Sequence, residues 1–488
     1  MKNPCKALIL FIVVAFSIQS CEDMDDTLAV ASEVEIDDFI WKGLNLYYLW
    51  QEDVPDLADD RFASQAELND FLIATAGPEN LFQKLLYKPV SQFPVPEAID
   101  RFSVLVNDYT YLENLFQGVT KNNGVEFGLR RKESNPAEIY GWVKYIIPGS
   151  NAENKNIERG AIFYAVNGTP LNDNNYLSLL NAENYTLNLA DYDGGAITPN
   201  GQTVALTKTQ LTENPVLVAD VLEVGSHKVA YLAYNGFTAN FDQQLNAAFG
   251  SFLSGGATEL VLDLRYNSGG SVQTAAYLAS MITGQFNGQL FAKQQWNSKV
   301  EAEIDPSRLS NNFTNSIGNT SINSMNLSRV YILTASGTAS ASELVINGLK
   351  PYINVIQIGD VTTGKNVGSI TLYDSPNFSR SNRKRNHKYA MQPLVFKTIN
   401  KDGFGDYQNG LDPTVVLRED PGNLSQLGNP AEPLLSTALG LITNNARMMK
   451  SDPEKATKDF KDSKSMRQLA TDMYVDIPEG LTDVLKSF

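Results

Sequence analysis

The 488-residue sequence predicts a mixed α/β protein: an α/β core joined to a small N-terminal helical domain and a β-rich domain. Three observations predict it. Residues 213–440 alternate buried-strand and helix patterns, residues 119–212 are short β-branched and aromatic runs divided by turn residues, and residues 34–118 place apolar residues at helical spacing. With 43% hydrophobic and 19% charged residues, the chain has material for about two to four domains.

Residues 1–20 are set apart from the fold. Lys2 and Lys6 form a basic start, Ala7 to Ile18 is an uncharged apolar run too short to span a bilayer, and Ser17-Ile18-Gln19-Ser20-Cys21 follows. This resembles the lipobox of a bacterial lipoprotein and implies a signal peptide over 1–20, with Cys21 as the lipid-bearing first residue of the mature chain. Acyl chains hold through about 0.8 kcal/mol per buried CH₂, so the expected partner at this end is a membrane. Cys5 leaves with the signal and Cys21 carries lipid, so no thiol remains for a disulfide or a metal. Residues 21–33 read as an acidic tether. Glu22-Asp23-Met24-Asp25-Asp26 also resembles the export tags of surface-displayed lipoproteins, and the protein is expected in a bacterial cell envelope, facing the periplasm or displayed outside. A net charge of −16 argues against nucleic acid as a partner, since phosphate binding needs concentrated Lys and Arg.

In residues 34–118, Phe39, Ile40, Leu44, Tyr47 and Tyr48 recur near helical spacing, and Ser64 is a cap candidate before Leu68, Phe71 and Leu72. Residues 119–212 change period. Val125 to Leu129, Trp142 to Ile147 and Ile162 to Val166 read as strands, Pro148 to Ala152 as a short helix candidate, and Asn167-Gly168 as a hairpin turn. In the core, Val229 to Tyr234 and Leu260 to Leu264 read as buried strands, each followed by a helix pattern. The second runs into Arg265-Tyr266-Asn267-Ser268-Gly269-Gly270, a glycine turn at the end of a strand, where α/β sheets bind ligands. A third strand, Val330 to Leu333, leads through small residues to a helix opening at Ser340, and a fourth, Val355 to Ile358, leads to Gly364-Lys365. Residues 285–328 read as a surface excursion and the basic cluster at 379–388 as a solvated hairpin tip. Residues 441–488 read as a C-terminal helical segment.

Chemistry narrows by elimination. Only His227 and His387 exist, with no His-Glu-x-x-His or paired-Cys motif, so a zinc hydrolase is disfavoured and no metal or other cofactor is expected. Ser340 lies in Gly337-Thr338-Ala339-Ser340-Ala341-Ser342-Glu343, which is not a Gly-x-Ser-x-Gly elbow, and there is no phosphate-binding loop. Taken singly, Ser340 to Glu343 fits a helix capping box, Lys365 is a loop lysine and Gly269-Gly270 a turn.

Together the blocks Asp263 to Gly270, Thr338 to Glu343 and Ile358 to Lys365 resemble the carboxy-terminal processing peptidases, the tail-specific serine proteases. The order of runs and glycines in 119–212 resembles a PDZ domain of such proteases. The resemblance implies a ClpP/crotonase-like core carrying a PDZ-like domain, with Ser340 as nucleophile, Lys365 as general base, and Ala341 with Gly269 or Gly270 as oxyanion donors. It further implies that Phe127, Gly128 and Leu129 receive an extended peptide tail as an added strand. A lysine base must be neutral, which asks for a pKa of roughly 7–8 instead of about 10.4, and burial supplies that bias. Where the family commonly has a Gln four residues after the lysine, this chain has Ser369, expected as the residue that orients Lys365. The expected function is a serine endopeptidase acting on extended or C-terminal protein segments. The alternative is a weak or inactive peptide- or ligand-binding lipoprotein on the same fold.

Overall fold

The computed structural model describes residues 32–95, 97–444, 459–467, 469 and 473–477. The expected signal peptide, Cys21 and the acidic tether up to residue 31 lie outside the described residues, as do residues 445–458.

Four helices open the chain: α1 (Glu35–Tyr47), α2 (Gln65–Ile73), α3 (Pro78–Lys84) and α4 (Tyr109–Phe116). Local chemistry starts three of them. Ser64 Oγ accepts from Glu67 N–H, Pro78 occupies the first turn of α3, and Asp108 Oδ1 accepts from Thr110 N–H at 2.9 Å. The apolar faces of the first three do not make a separate core: Phe39, Ile40, Leu44, Leu72 and Phe82 belong to the same buried cluster as the main sheet, so these helices are a layer of the core, whereas Leu112 of α4 packs apart with Val106, Tyr373 and Ala390.

The β-rich domain is an antiparallel sheet of β1 (Val125–Lys132), β2 (Asn135–Ile146), β3 (Ile162–Val166), β4 (Asn184–Tyr192) and β5 (Ile197–Thr207), paired in that order. It buries its own cluster, including Phe127, Leu129, Phe163, Leu187 and Leu206. Asn167 and Gly168 turn the chain after β3 with φ of 51° and 77°, the positive values that the Asn-Gly pair tolerates. Pro148 to Ala152, a helix candidate by sequence, forms turns.

The core begins with β6 (Val216–Val224), β7 (His227–Tyr234), α5 (Asp242–Ser254), β8 (Glu259–Asp263), β9 (Gly270–Ser271) and α6 (Val272–Thr283). Next come β10 (Leu290–Trp296), β11 (Ser310–Asn312), β12 (Arg329–Thr334), α7 (Ala341–Leu349), β13 (Asn354–Gly359), β14 (Val367–Ser369), β15 (Leu394–Ile399), β16 (Val415–Val416) and α8 (Pro433–Ile442). The tail adds β17 (Lys461–Asp462) and β18 (Met473–Tyr474).

The first core sheet runs β6-β7-β8-β12-β13-β16, parallel from β7 onward. Alternation along β7 assigns its two faces: Ala230, Leu232 and Tyr234 join the cluster that holds α5, α6 and α7, whereas Val229, Tyr231 and Ala233 pack with α8. Parallel register brings Asp263 beside Leu333 and Thr334 beside Gly359. The glycine turn, the turn into α7 and the loop to Lys365 therefore leave one edge of the sheet side by side. The second sheet runs β9-β18-β14-β15-β10-β11.

Three expectations are corrected. Residues 285–328 are not a surface excursion: β10 pairs with β15, and Phe291, Trp296 and Phe313 are buried, because their apolar side chains outweigh the surrounding polar composition. The basic cluster is exposed at Arg380, Lys384, Arg385 and Lys388, as a solvated tip would be, but it is pinned to the N-terminal layer instead of standing free. Arg380 and Arg383 bridge to Glu113, Lys384 to Glu35 and Asp374, and the Arg383 guanidinium lies 3.8 Å from the Tyr109 ring centre. Finally, the described part of the C-terminal segment is not helical. Beyond α8 the described residues form β17 and β18, whose backbones complete open sheet edges at β1, β9 and β14. Tertiary pairing overrides their helical spacing.

Candidate active site

The segments that meet at the sheet edge are tied together by named bonds. Beneath the glycine turn lies a buried ionic cluster: Arg265 bridges Asp263 (2.6 Å), Glu419 (3.0 Å) and Glu432 (2.7 Å), and Arg159 from the β-rich domain bridges Glu419 at 2.8 Å. Tyr266 OH donates to Glu419 Oε1. Burial pushes the Glu419 carboxyl up, but Arg265 and Arg159 outweigh it and bring it down to about 2. The cluster fixes the start of the turn and locks the β-rich domain to the core.

Asn267 carries that order to the α7 mouth. Its Nδ2 donates to Tyr234 O, its Oδ1 accepts Gly269 N–H at 2.9 Å, and its carbonyl accepts from Ala339 N–H (3.2 Å) and Ser342 Oγ (3.1 Å). Gly269 and Gly270 have φ of 113° and 134°, and a Cβ on Gly270 would lie 2.3 Å from Phe237 O. Only glycine fits there. Of the predicted oxyanion donors, Gly269 N–H is thus engaged by Asn267, while Gly270 pairs in register with Met473 of the tail.

Ser340 has φ 64° and ψ −117°, a backbone conformation that non-glycine residues avoid at a cost of about 1–3 kcal/mol. It is fully buried and followed directly by α7, so Ala341 is the first residue of that helix. The strain is held by Glu343. Its Oε2 accepts from the N–H of Ser340 (2.7 Å) and of Lys365 (2.8 Å), and its Oε1 from Gly364 N–H (2.7 Å) and Thr362 Oγ1 (2.5 Å). One buried carboxylate therefore joins the backbones of the two predicted catalytic residues. Burial pushes its pKa up, and these four donors work against that push. Thr363 N–H donates to Thr338 O, closing the same two segments further out.

Lys365 is 1% exposed, and its Nζ lies 4.9 Å from the Phe102 ring centre. Neighbouring Arg101 reaches from the N-terminal layer to donate to the carbonyls of Gly364 (2.5 Å) and Gln408 (3.0 Å). The hydroxyl of Ser369 is within reach of Gln392 Oε1 and, at 3.3 Å, of Met473 O. Sequence reasoning saw Glu343 only as a helix cap and missed Asn267, Arg101 and Phe102. The Ser-x-x-Glu spacing was the signal for Glu343, but no local pattern ties residue 101 to residue 364.

Phe127, Gly128 and Leu129 lie on the open edge of β1, remote in sequence from Ser340, and there β17 pairs with them, Asp462 opposite Gly128 and Lys461 opposite Leu129. Among the described residues no group of His, Cys, Asp and Glu has the arrangement of a metal site, and no helix is long and apolar enough to cross a membrane.

Peptidase family S41 matches residues 228–415, which hold the glycine turn, Ser340 and Lys365, and the Peptidase S41 N-terminal domain matches residues 35–104. The chain is 27% identical over 309 residues to the chloroplastic C-terminal processing peptidase of Tetradesmus obliquus, covering 59% of this chain and 60% of that one. It is 23% identical over 308 residues to the carboxyl-terminal-processing protease of Picosynechococcus, covering 61% of this chain and 66% of that one. The matches thus span less than two thirds of these relatives. A crystal structure of a candidate S41 protease from Bacteroides fragilis superposes with a TM-score of 0.63 at 26% identity, covering 84% of this chain and 97% of the other. By these matches and by the architecture above, the chain belongs to peptidase family S41 and carries that family's N-terminal domain.

Proposed function

We propose that the protein is a serine endopeptidase that cleaves extended or C-terminal segments of proteins, with Ser340 as nucleophile and Lys365 as general base. The observation that carries this reading is the shared anchor: the backbones of both residues bond to one buried Glu343 carboxylate, and both residues are withdrawn from water. In the proposed reaction Lys365 Nζ takes the proton of Ser340 Oγ, the oxygen attacks a peptide carbonyl, Lys365 returns the proton to the leaving amine as the C–N bond breaks and an acyl-enzyme forms, and water then hydrolyses the ester and restores Ser340. Ala341 N–H, at the start of α7, and Gly270 N–H are the donors proposed for the developing oxyanion, since Gly269 already serves Asn267. Loss of one such donor costs about 2.7–4 kcal/mol.

The β-rich domain is proposed as a PDZ-like reader of extended tails, using β1 at Phe127-Gly128-Leu129, and Cys21 as the lipid anchor that holds the protein in the cell envelope. Ser369 is proposed to act on Lys365 through the β14 strand that follows it. The position of its hydroxyl beside Gln392 favours a second reading, a peptide-binding protein with weak catalysis. Purified mature protein is expected to cleave an unfolded protein, and Ser340→Ala and Lys365→Met to abolish cleavage. Undiminished cleavage by Ser340→Ala removes Ser340 from the mechanism. A serine-reactive probe that labels Ser340 counts against the second reading.

A further inference from the structure

The described tail segments fill two places that the proposed reaction needs. Along the edge of β1, Phe460 N–H donates to Leu129 O (3.0 Å), Ser463 N–H to Phe127 O (2.9 Å), and Phe127 N–H to Ser463 Oγ (3.0 Å). This is the bonding of a strand added to a sheet edge, and Phe460 also meets the Arg131 guanidinium and the Tyr176 ring.

Two carboxylates read the flanks of that edge. Asp459 Oδ1 accepts from Arg130 Nε (2.7 Å) and Trp142 Nε1 (2.9 Å), and Asp462 Oδ2 from Lys144 Nζ (3.1 Å), which is also 3.3 Å from Asp459 Oδ2. Arg130 and Lys144 are both buried, and buried cations are costly without an anion beside them. Gly128 leaves room for this anion, because a Cβ there would lie 2.2 Å from Asp459 Oδ2. With the tail seated, the edge thus meets its two acids with two cations and an indole N–H.

Further along, Met473 stands opposite Gly270, and Tyr474 opposite both Ser271 and Ser369. The tail thus lies as a strand between β9, which continues the glycine turn, and β14, which begins two residues after Lys365. Lys464 fastens the approach, its Nζ donating to the carbonyls of Asn235 (2.9 Å) and Tyr266 (2.8 Å).

We propose that the segments around Asp459–Arg467 and Met473–Tyr474 are an internal occupant of the extended-peptide site, so that the protein rests self-occupied and the site selects extended peptides bearing two carboxylates three residues apart. The proposal rests on the reading of β1 as a peptide-binding edge. A ligand enters by displacing the tail, and its acids take the places of Asp459 and Asp462 on Arg130, Trp142 and Lys144.

The test uses the full mature chain carrying Ser340→Ala, so that binding is read without cleavage. A fluorescent peptide with the sequence of residues 457–466, and a second with both aspartates changed to asparagine, are titrated by anisotropy. They are titrated against this protein and against the same protein with Asp459→Asn and Asp462→Asn. The acidic peptide is expected to bind the tail variant about tenfold or more tightly than the parent, and more tightly than the asparagine peptide does. Equal binding to both proteins, or no preference between the peptides, overturns the proposal. Hydrogen exchange on the Ser340→Ala chain with its tail unmodified guards against a misfolded variant. The Phe460 and Ser463 amides should lose protection when the acidic peptide saturates the protein, and unchanged protection marks β17 as a permanent strand and overturns the proposal. Cleavage by the tail variant with Ser340 intact separates the two readings. Displacement without any Ser340-dependent cleavage leaves the occupancy standing and removes the protease reading, and cleavage without displacement does the reverse.

Discussion

Glu343→Gln tests the anchor beneath the proposed dyad, and its cost follows from counting donors. The carboxylate presents two oxygens to four donors: Thr362 Oγ1 and Gly364 N–H on one side, Ser340 N–H and Lys365 N–H on the other. An amide has one oxygen and one NH₂, so one side must face a donor with a donor. If the NH₂ faces Ser340 and Lys365, two buried N–H groups lose their partner, about 2–6 kcal/mol at 1–3 each. If it faces Thr362 and Gly364, the Thr362 hydroxyl, whose oxygen already accepts Leu411 N–H, accepts the NH₂ with its second lone pair and turns its proton away, so Gly364 N–H is the one backbone donor orphaned, about 1–3 kcal/mol. The second arrangement wins. The variant should therefore fold with its urea midpoint lowered by an amount equivalent to about 1–3 kcal/mol. Gly364 shifts, Lys365 moves with it, and kcat is expected to fall by about tenfold or more while KM changes little, because misplacement of a reacting group is felt in the chemical step. The measurement is kcat and KM on an unfolded substrate together with urea denaturation. Wild-type kcat and an unshifted midpoint would refute the anchor, and a rise in KM at constant kcat would assign Glu343 to substrate binding instead.

Two further outcomes are expected. Gly270→Ala must relieve a Cβ 2.3 Å from Phe237 O at φ 134°, so it should lose about 2–5 kcal/mol of stability and its cleavage activity, whereas Gly337→Ala, whose Cβ would meet only Asp462 Oδ2 at 3.5 Å, should melt like the parent. Equal melting of the two variants refutes the close approach at the glycine turn. Glu419, held at about 2 against an ordinary 4.5, binds its proton more readily in the unfolded chain. Its stabilisation, about 3 kcal/mol, is therefore complete above pH 4.5 and lost as the pH falls toward 2. Urea midpoints measured from pH 6 to pH 3 should fall more steeply for the parent than for Glu419→Gln, and parallel slopes would show that this carboxylate does not carry the acid sensitivity.

Much of the fold was legible because periodicity is local. The strand and helix pattern of the core, the Ser64 cap and the Asn167-Gly168 turn each depend on neighbours within a few residues, and each stands in the structure. Phe291, Trp296 and Phe313 were hidden by polar neighbours in sequence, although packing against β15 and α7 buries them. The tail was misread because its helical spacing competes with open strand edges at β1 and β14, which belong to residues more than a hundred positions away. In the candidate site, the blocks around Ser340, Lys365 and Gly270 were visible as motifs. What joins them was visible only in part: the Ser-x-x-Glu spacing encodes the bond from Ser340 N–H to Glu343, but no spacing encodes the reach of Glu343 to Gly364 and Lys365 or that of the Asn267 carbonyl to Ala339 and Ser342.

The reach of Arg101 to the Gly364 carbonyl has a consequence for the order of events in folding. That bond spans 263 residues and its companion to Gln408 spans 307, so both close very large loops and belong among late-forming contacts. The loop bearing Lys365 therefore gains this support only when the first hundred residues and the distal part of the core have come together. An incompletely folded chain lacks that brace, which makes Arg101 a checkpoint for completeness built into the fold.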